Sequence, residues 1–248
     1  MADLFRSSNP VLSPERFRGE GIAYGDAMTV SGTVNKTGIL TILVVAAAAW
    51  TWSRFNTNPQ SVLLMLGIGI IGGLIFAIAT IFKKTWAPVT APIYAVLEGL
   101  ALGGISAMYE ARFQGLPMQA VGLTFGTLIA LLLVYRAGII KVTDKFRLGV
   151  VAATGGIAVF YLLTIVLSFF HVSVPFMYNS SPLSIGISLF VVVIAALNLV
   201  LNFDFIENAS RAGSPKYMEW YAAFGLMVTL IWLYLEILSL LAKLRSRD

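Results

Sequence analysis

Seven long apolar stretches, separated by short polar ones, dominate the 248-residue chain. They cover residues 37–53, 61–82, 87–109, 117–135, 148–170, 183–206 and 217–244. A helix needs about 20 apolar residues to cross the core of a bilayer, and this pattern predicts seven such helices. The first stretch is short and the last is longer than a span requires. The last opens with YMEWYAAF, which puts Tyr217, Trp220 and Tyr221 where an interfacial aromatic belt lies, so the part in hydrocarbon runs over 224–244. Connections are short. The organisation is therefore a polar N-terminal tail over 1–36 and one seven-helix transmembrane domain over 37–248, an all-α integral membrane protein.

Composition agrees and narrows the chemistry. The chain is 58% hydrophobic and 12% charged, with a mean hydropathy of +0.85. A soluble domain carries about twice that share of charge. With no cysteine, disulfides, thiolate metal sites and cysteine nucleophiles are excluded, and the single histidine, His171, excludes a poly-histidine metal site. The net charge of +5 comes from basic residues scattered through loops and tails. No basic patch with interleaved aromatics exists, so anionic lipid headgroups, not nucleic acid, are the expected partners. The first 35 residues hold Pro10, Pro14, Arg6, Arg16 and Arg18 without an apolar run, which reads as a polar tail and not a signal peptide.

Small residues recur at four-residue spacing as Gly69 and Gly73, Gly99 and Gly103, and Gly122 and Gly126. Such pairs let helix backbones approach closely, so helix packing is the expected use. Lys and Arg on the N-terminal side number twelve against five on the other side, which predicts a cytoplasmic N-terminus. Lys243, Arg245 and Arg247 at the far end point the other way and allow a re-entrant seventh element.

Three acids fall inside the spans: Glu98 in the third, Asp204 in the last turns of the sixth, and Glu236 in the seventh. No basic residue lies in a span interior; Lys243 stands two turns beyond Glu236, toward the membrane face. An ionised carboxylate alone at mid-bilayer costs at least about 2.5–3.5 kcal/mol. It can hold a proton, share one with a second carboxyl, or face a watery cavity with a cation. Thr229, Trp232, Ser239 and Lys243 share the helical face of Glu236, and hydroxyls on that stripe are candidate partners. On spacing alone Asp204 is either part of this polar group or the wet end of its span. Glu98 is either a third member of the cluster or a separate interhelical hydrogen bond.

The segment YLEILSLLAKLRSR resembles the final helix of the transmembrane Bax inhibitor motif family (Bax inhibitor-1-like), and LNFDFIENA resembles the helix before it. The specific similarity covers roughly the last fifty residues. The resemblance implies a seven-helix fold whose last helix is packed inside the other six. It also implies a pH-sensing acid pair on the last two helices, here Asp204 and Glu236, controlling a cation leak best known for calcium. A basic latch at the end of the second helix would fall on Lys83 or Lys84. Three departures stand out: Glu236 replaces an aspartate, Ser239 stands where asparagine is common, and the interval between the two acids is longer.

The expected function is thus a pH-sensitive cation leak, with calcium as the first candidate ion, in which Asp204 and Glu236 share a proton. Calcium at Asp204 and Glu236 is the only metal site expected, with Ca²⁺ or H⁺ as transported or regulating ion and no other cofactor. The competing reading is a membrane regulator that binds a partner such as a membrane protease. An intramembrane enzyme is not expected: Gly104-Ile105-Ser106 is a weak nucleophile context, His171 reads as interfacial, and a Gly-x-Gly-Asp context is missing. The resemblance places the protein in a bacterial inner membrane.

Overall fold

The structure is a computed structural model and describes residues 27–170 and 180–247. Seven helices cross it: α1 (Val30–Phe55), α2 (Pro59–Phe82), α3 (Ala87–Arg112), α4 (Leu116–Arg136), α5 (Asp144–Phe169), α6 (Pro182–Arg211) and α7 (Met218–Arg245). All seven are long and apolar enough to span a membrane. His171 lies outside the described residues.

Helix starts follow local chemistry. Thr29, Asn58, Thr143 and Ser181 cap α1, α2, α5 and α6, each side chain accepting a hydrogen bond from a backbone N–H of the first turn. Proline stands in the first turn of α2, α3, α4 and α6, where its missing N–H costs nothing. Thr29 explains why α1 begins seven residues before the expected span. Val30 to Lys36 is polar by composition but helical because its cap is in place. The other boundaries match the apolar runs to within about five residues, a usual uncertainty for helix ends. α7 is one continuous helix of 28 residues, so the re-entrant alternative is not what the chain adopts.

Outward faces are covered with Leu, Ile and Val; on α2 these include Leu63, Leu64, Ile71, Leu74, Ile75 and Ile78, all exposed. Exposed apolar surface on this scale is what lipid contact requires. Buried positions on α2 follow a narrow seam, Val62, Gly69, Gly73 and Thr80. Gly69 meets the backbone of α3, where a Cβ would stand 2.6 Å from the Leu97 carbonyl oxygen. From the other side of α3, Gly103 presses on α1, with a Cβ position 2.3 Å from the Ala48 carbonyl oxygen. The packing use of these glycines is as expected. Gly122 and Gly126 differ, since a Cβ at either meets nothing within 4 Å; on α4 the spacing arises without a packed neighbour.

α7 carries the most buried face of any helix, with Phe224, Leu233, Ile237 and Leu238 in the main core. It lies against α1, α3, α4 and α6. Of the six helices expected around the last one, those four pack on it directly, α5 meets it at the Tyr161–Glu236 hydrogen bond, and α2 faces it across a cavity. A smaller core around Ile157, Val191 and Ile194 joins α5 to α6 and packs on Tyr161 and Trp232.

Candidate functional site

Glu236 is 8% exposed. Its Oε1 accepts two hydrogen bonds, from the Tyr161 hydroxyl of α5 (2.7 Å) and from Trp232 Nε1 one turn earlier on α7 (3.1 Å). Both donors are held by the smaller core, so the carboxyl is positioned by packing from two helices. Trp232 is the member of the expected stripe that reaches it; Ser239 is not among its partners. Thr229 bonds elsewhere, donating to the Gly225 carbonyl and accepting from Asn202 Nδ2 (2.7 Å). Lys243 Nζ donates to Ser188 Oγ (2.8 Å) and forms no ion pair with Glu236. Lys243 and Tyr109 of α3 are nonetheless close enough to the carboxyl to interact with it electrostatically.

Asp204 has a different partner. Its Oδ2 accepts from Arg147 Nη2 at 2.8 Å, across the N-terminal turn of α5. The side chains are 52% exposed for Arg147 and 17% for Asp204. This is the wet-end reading of Asp204 with a salt bridge added. Arg147 had entered the sequence reading only as an orientation charge.

The two acids expected to share a proton do not meet in this structure. Asn202 to Thr229 and Lys243 to Ser188 both fit one antiparallel register of α6 against α7. That register sets Asp204 opposite Met227 and Glu236 opposite Ala195. Nine residues on α7 separate the two levels, roughly 13 Å at 1.5 Å per residue. A single Ca²⁺ needs its oxygens at about 2.3–2.6 Å, so one ion cannot bind both carboxylates here. Among the described residues no group of three or more His, Asp or Glu could hold a metal. Asp204 and Glu236 therefore do not fit one resident calcium ion.

The expected latch also moves. Lys83 Nζ lies 4.9 Å from the centre of the Trp86 ring and Lys84 Nζ lies 5.3 Å from that of Tyr221. Neither reaches a carboxylate among the described residues. The basic partner of Asp204 is Arg147, from the opposite end of the sequence interval. Ser106, considered above as a nucleophile, shares a 2.6 Å hydrogen bond with the Tyr234 hydroxyl and ties α3 to α7.

Glu98 is half-buried and lines the cavity between α2, α3, α6 and α7. Tyr94 with Phe224 and Ser106 with Tyr234 define the parallel register of α3 and α7. By that register Glu98 lies near the level of Met227 and Asp204, not of Glu236. It is therefore separate from the Glu236 site.

One acid cluster was missed altogether. Glu219, in the first turn of α7, has a fully buried side chain. Its Oε1 accepts from the Thr29 backbone N–H and hydroxyl, both at 2.9 Å, and from Lys216 at 2.9 Å, while Lys36 binds Oε2. A Cβ on Gly32 would stand 2.1 Å from Oε1, so a side chain there would push the carboxylate off its donors. Met28 N–H donates to the Ser214 carbonyl at 2.6 Å, completing a join between the start of α1 and the α6–α7 turn. Sequence reading had assigned Glu219 to water as a span-end residue. The available signals were Lys216 at i−3 and the Thr29-x-x-Gly32 cap.

Seven membrane-long helices, the last of them carrying a buried carboxyl, Glu236, bonded to two neutral donors, define the class: a polytopic integral membrane protein. The family model for "Bax inhibitor 1 like" proteins matches residues 9–246. The chain belongs to that family. Comparison with curated proteins and with solved structures gives no match.

Proposed function

We propose that this protein is a pH-sensitive cation leak, with calcium the ion to test first, in a bacterial inner membrane. Glu236 is its proton-exchanging group. The observation that carries the reading is the set of hydrogen-bond partners around that carboxyl: two neutral donors, Tyr161 and Trp232, with Lys243 near enough to act on it through its charge but bonded to Ser188 instead. A carboxyl clasped by arginine keeps its charge across the physiological range. One held by a phenol and an indole gains or loses a proton together with a cation or water, because ionisation in a bilayer needs a compensating charge or solvent. Asp204, with Arg147, then acts as a separate station nearer the N-terminal face, and the two carboxyls are visited in turn. This replaces the shared proton with two sites at different depths.

The test is cation flux in proteoliposomes loaded with a calcium indicator, read from pH 5 to 8. Wild-type flux should change over that range, and Glu236→Gln should flatten the profile while keeping the size of the side chain. Absence of flux at every pH would remove the reading and leave the partner-binding regulator as the better account.

A further inference from the structure

The cavity between α2, α3, α6 and α7 measures about 730 Å³. Leu74, Leu102, Phe205 and Val228 give it an apolar wall, and Glu98 and Asn202 are polar groups on it beside the tyrosines Tyr94 and Tyr221. Leu74, Phe205 and Val228 are exposed, so the cavity opens sideways toward lipid. The Glu98 carboxyl makes no hydrogen bond or ion pair with any described residue. The Asn202 amide uses Nδ2 on Thr229, which leaves Oδ1 as an acceptor. On α2, Gly73 provides the room for the acid: a Cβ there would stand 2.8 Å from Glu98 Oε1. Among the described residues the other titratable groups lining the cavity are Tyr94, buried one turn earlier on α3, and Tyr221 of α7, over whose ring Lys84 stands at 5.3 Å.

These features select an occupant. An alkyl chain alone would fill the wall and leave a polar group unbonded in oil, which is unfavourable. A permanently charged head would have to bring its charge to a residue eleven positions into α3, about 16 Å along the helix, and hydrocarbon penalises that. An uncharged hydrogen-bonding head avoids both costs, and of such heads an amine is the one basic enough to take the acid's proton as well. It enters neutral and meets a neutral carboxylic acid. The acid O–H bond breaks as the nitrogen lone pair takes the proton, leaving a carboxylate beside an ammonium with no net charge added. We infer that this cavity is a binding site for a lipophilic, protonatable amine, with its head at Glu98 and Asn202 and its alkyl chain along the apolar wall. The site is distinct from Glu236 and does not depend on ion conduction.

Native mass spectrometry of the full-length protein in detergent tests this, with dodecylamine, dodecyltrimethylammonium and dodecan-1-ol as probes. Dodecylamine should bind at least about tenfold tighter than either analogue, a tenfold ratio being about 1.4 kcal/mol. Glu98→Gln should erase that preference, and Gly73→Ala should weaken it by displacing the carboxyl. Circular dichroism of each variant checks that the helices remain. Equal binding of all three probes would overturn the site, because it would then read only the tail. Undiminished amine preference in Glu98→Gln would overturn it as well. So would a phosphatidylglycerol molecule that dodecylamine fails to displace, which would make the cavity an anionic-lipid site served by Lys83 and Lys84.

Discussion

Replacing Glu219 with alanine removes the acceptor for four donors at once. The carboxylate is fully buried, Lys36 is 20% exposed and Lys216 is 48% exposed. Lys216 returns largely to water, so its loss counts for at most about 1 kcal/mol. Lys36 and the two Thr29 donors are not released so freely. Removing one member of a buried charged pair costs about 3–5 kcal/mol, most of it the uncompensated partner. The expected loss for Glu219→Ala is therefore about 3–5 kcal/mol, with Glu219→Gln near the lower end because its amide oxygen still accepts from Thr29. Gly32→Ala should also destabilise, but by less than Glu219→Ala, since its Cβ would displace the carboxyl end of Glu219 without removing it. The two changes act on one contact, so the double variant should cost at least about 1 kcal/mol less than the sum. The assay is SDS titration in mixed micelles followed by circular dichroism, for both single variants and the double. A loss under about 1 kcal/mol for Glu219→Ala would refute the reasoning, and so would simple additivity with Gly32→Ala.

Gly103→Val should break the α1–α3 contact, because the Cβ position is 2.3 Å from the Ala48 carbonyl oxygen, whereas Gly122→Val on α4 should be close to neutral; unfolding midpoints of the two variants compare them directly. Arg147→Gln should cost no more than about 1 kcal/mol, as expected for a half-exposed ion pair, and a larger loss in the same titration would mean that Asp204 is more deeply desolvated than its packing indicates. The Asn202–Thr229 hydrogen bond should yield about 0.6 kcal/mol, and at most about 1.7, in a double-mutant cycle with Asn202→Leu and Thr229→Val.

The spans were legible because a bilayer demands long apolar runs, and that demand leaves little freedom in where helices begin and end. α1 departs from the rule at its start. Ser31, Thr33, Asn35 and Lys36 lower the local hydropathy, yet they sit on a capped helix that turns Lys36 toward Glu219. Burial of Glu236 was also legible, since a mid-span acid without a basic neighbour has few places to go. Its partners were not. A tyrosine on α5 carries no mark in the sequence that sets it apart from the other eight, and only the packing of α5 on α6 brings Tyr161 into reach.

The Asp204–Glu236 pairing came from resemblance, and register explains why it is not seen. Antiparallel helices joined by a short turn fix which residues share a level, and each added turn on one side shifts the match by about 5.4 Å. The longer interval noted between the two acids adds such turns, so Glu236 faces Ala195 and Asp204 faces Met227. Arg147 and Glu219 were missed for a common reason. Both stand near span ends, where hydropathy carries no information on tertiary contacts, and those contacts replace water around them.

The central claim is that Glu236, held by neutral donors inside the bundle, makes ion passage respond to pH. Calcium flux into proteoliposomes from pH 5 to 8, compared between wild type and Glu236→Gln, addresses it directly. The account predicts a pH-dependent wild-type flux and a flat profile in the variant at unchanged helical content. Coincident profiles for the two proteins would contradict it.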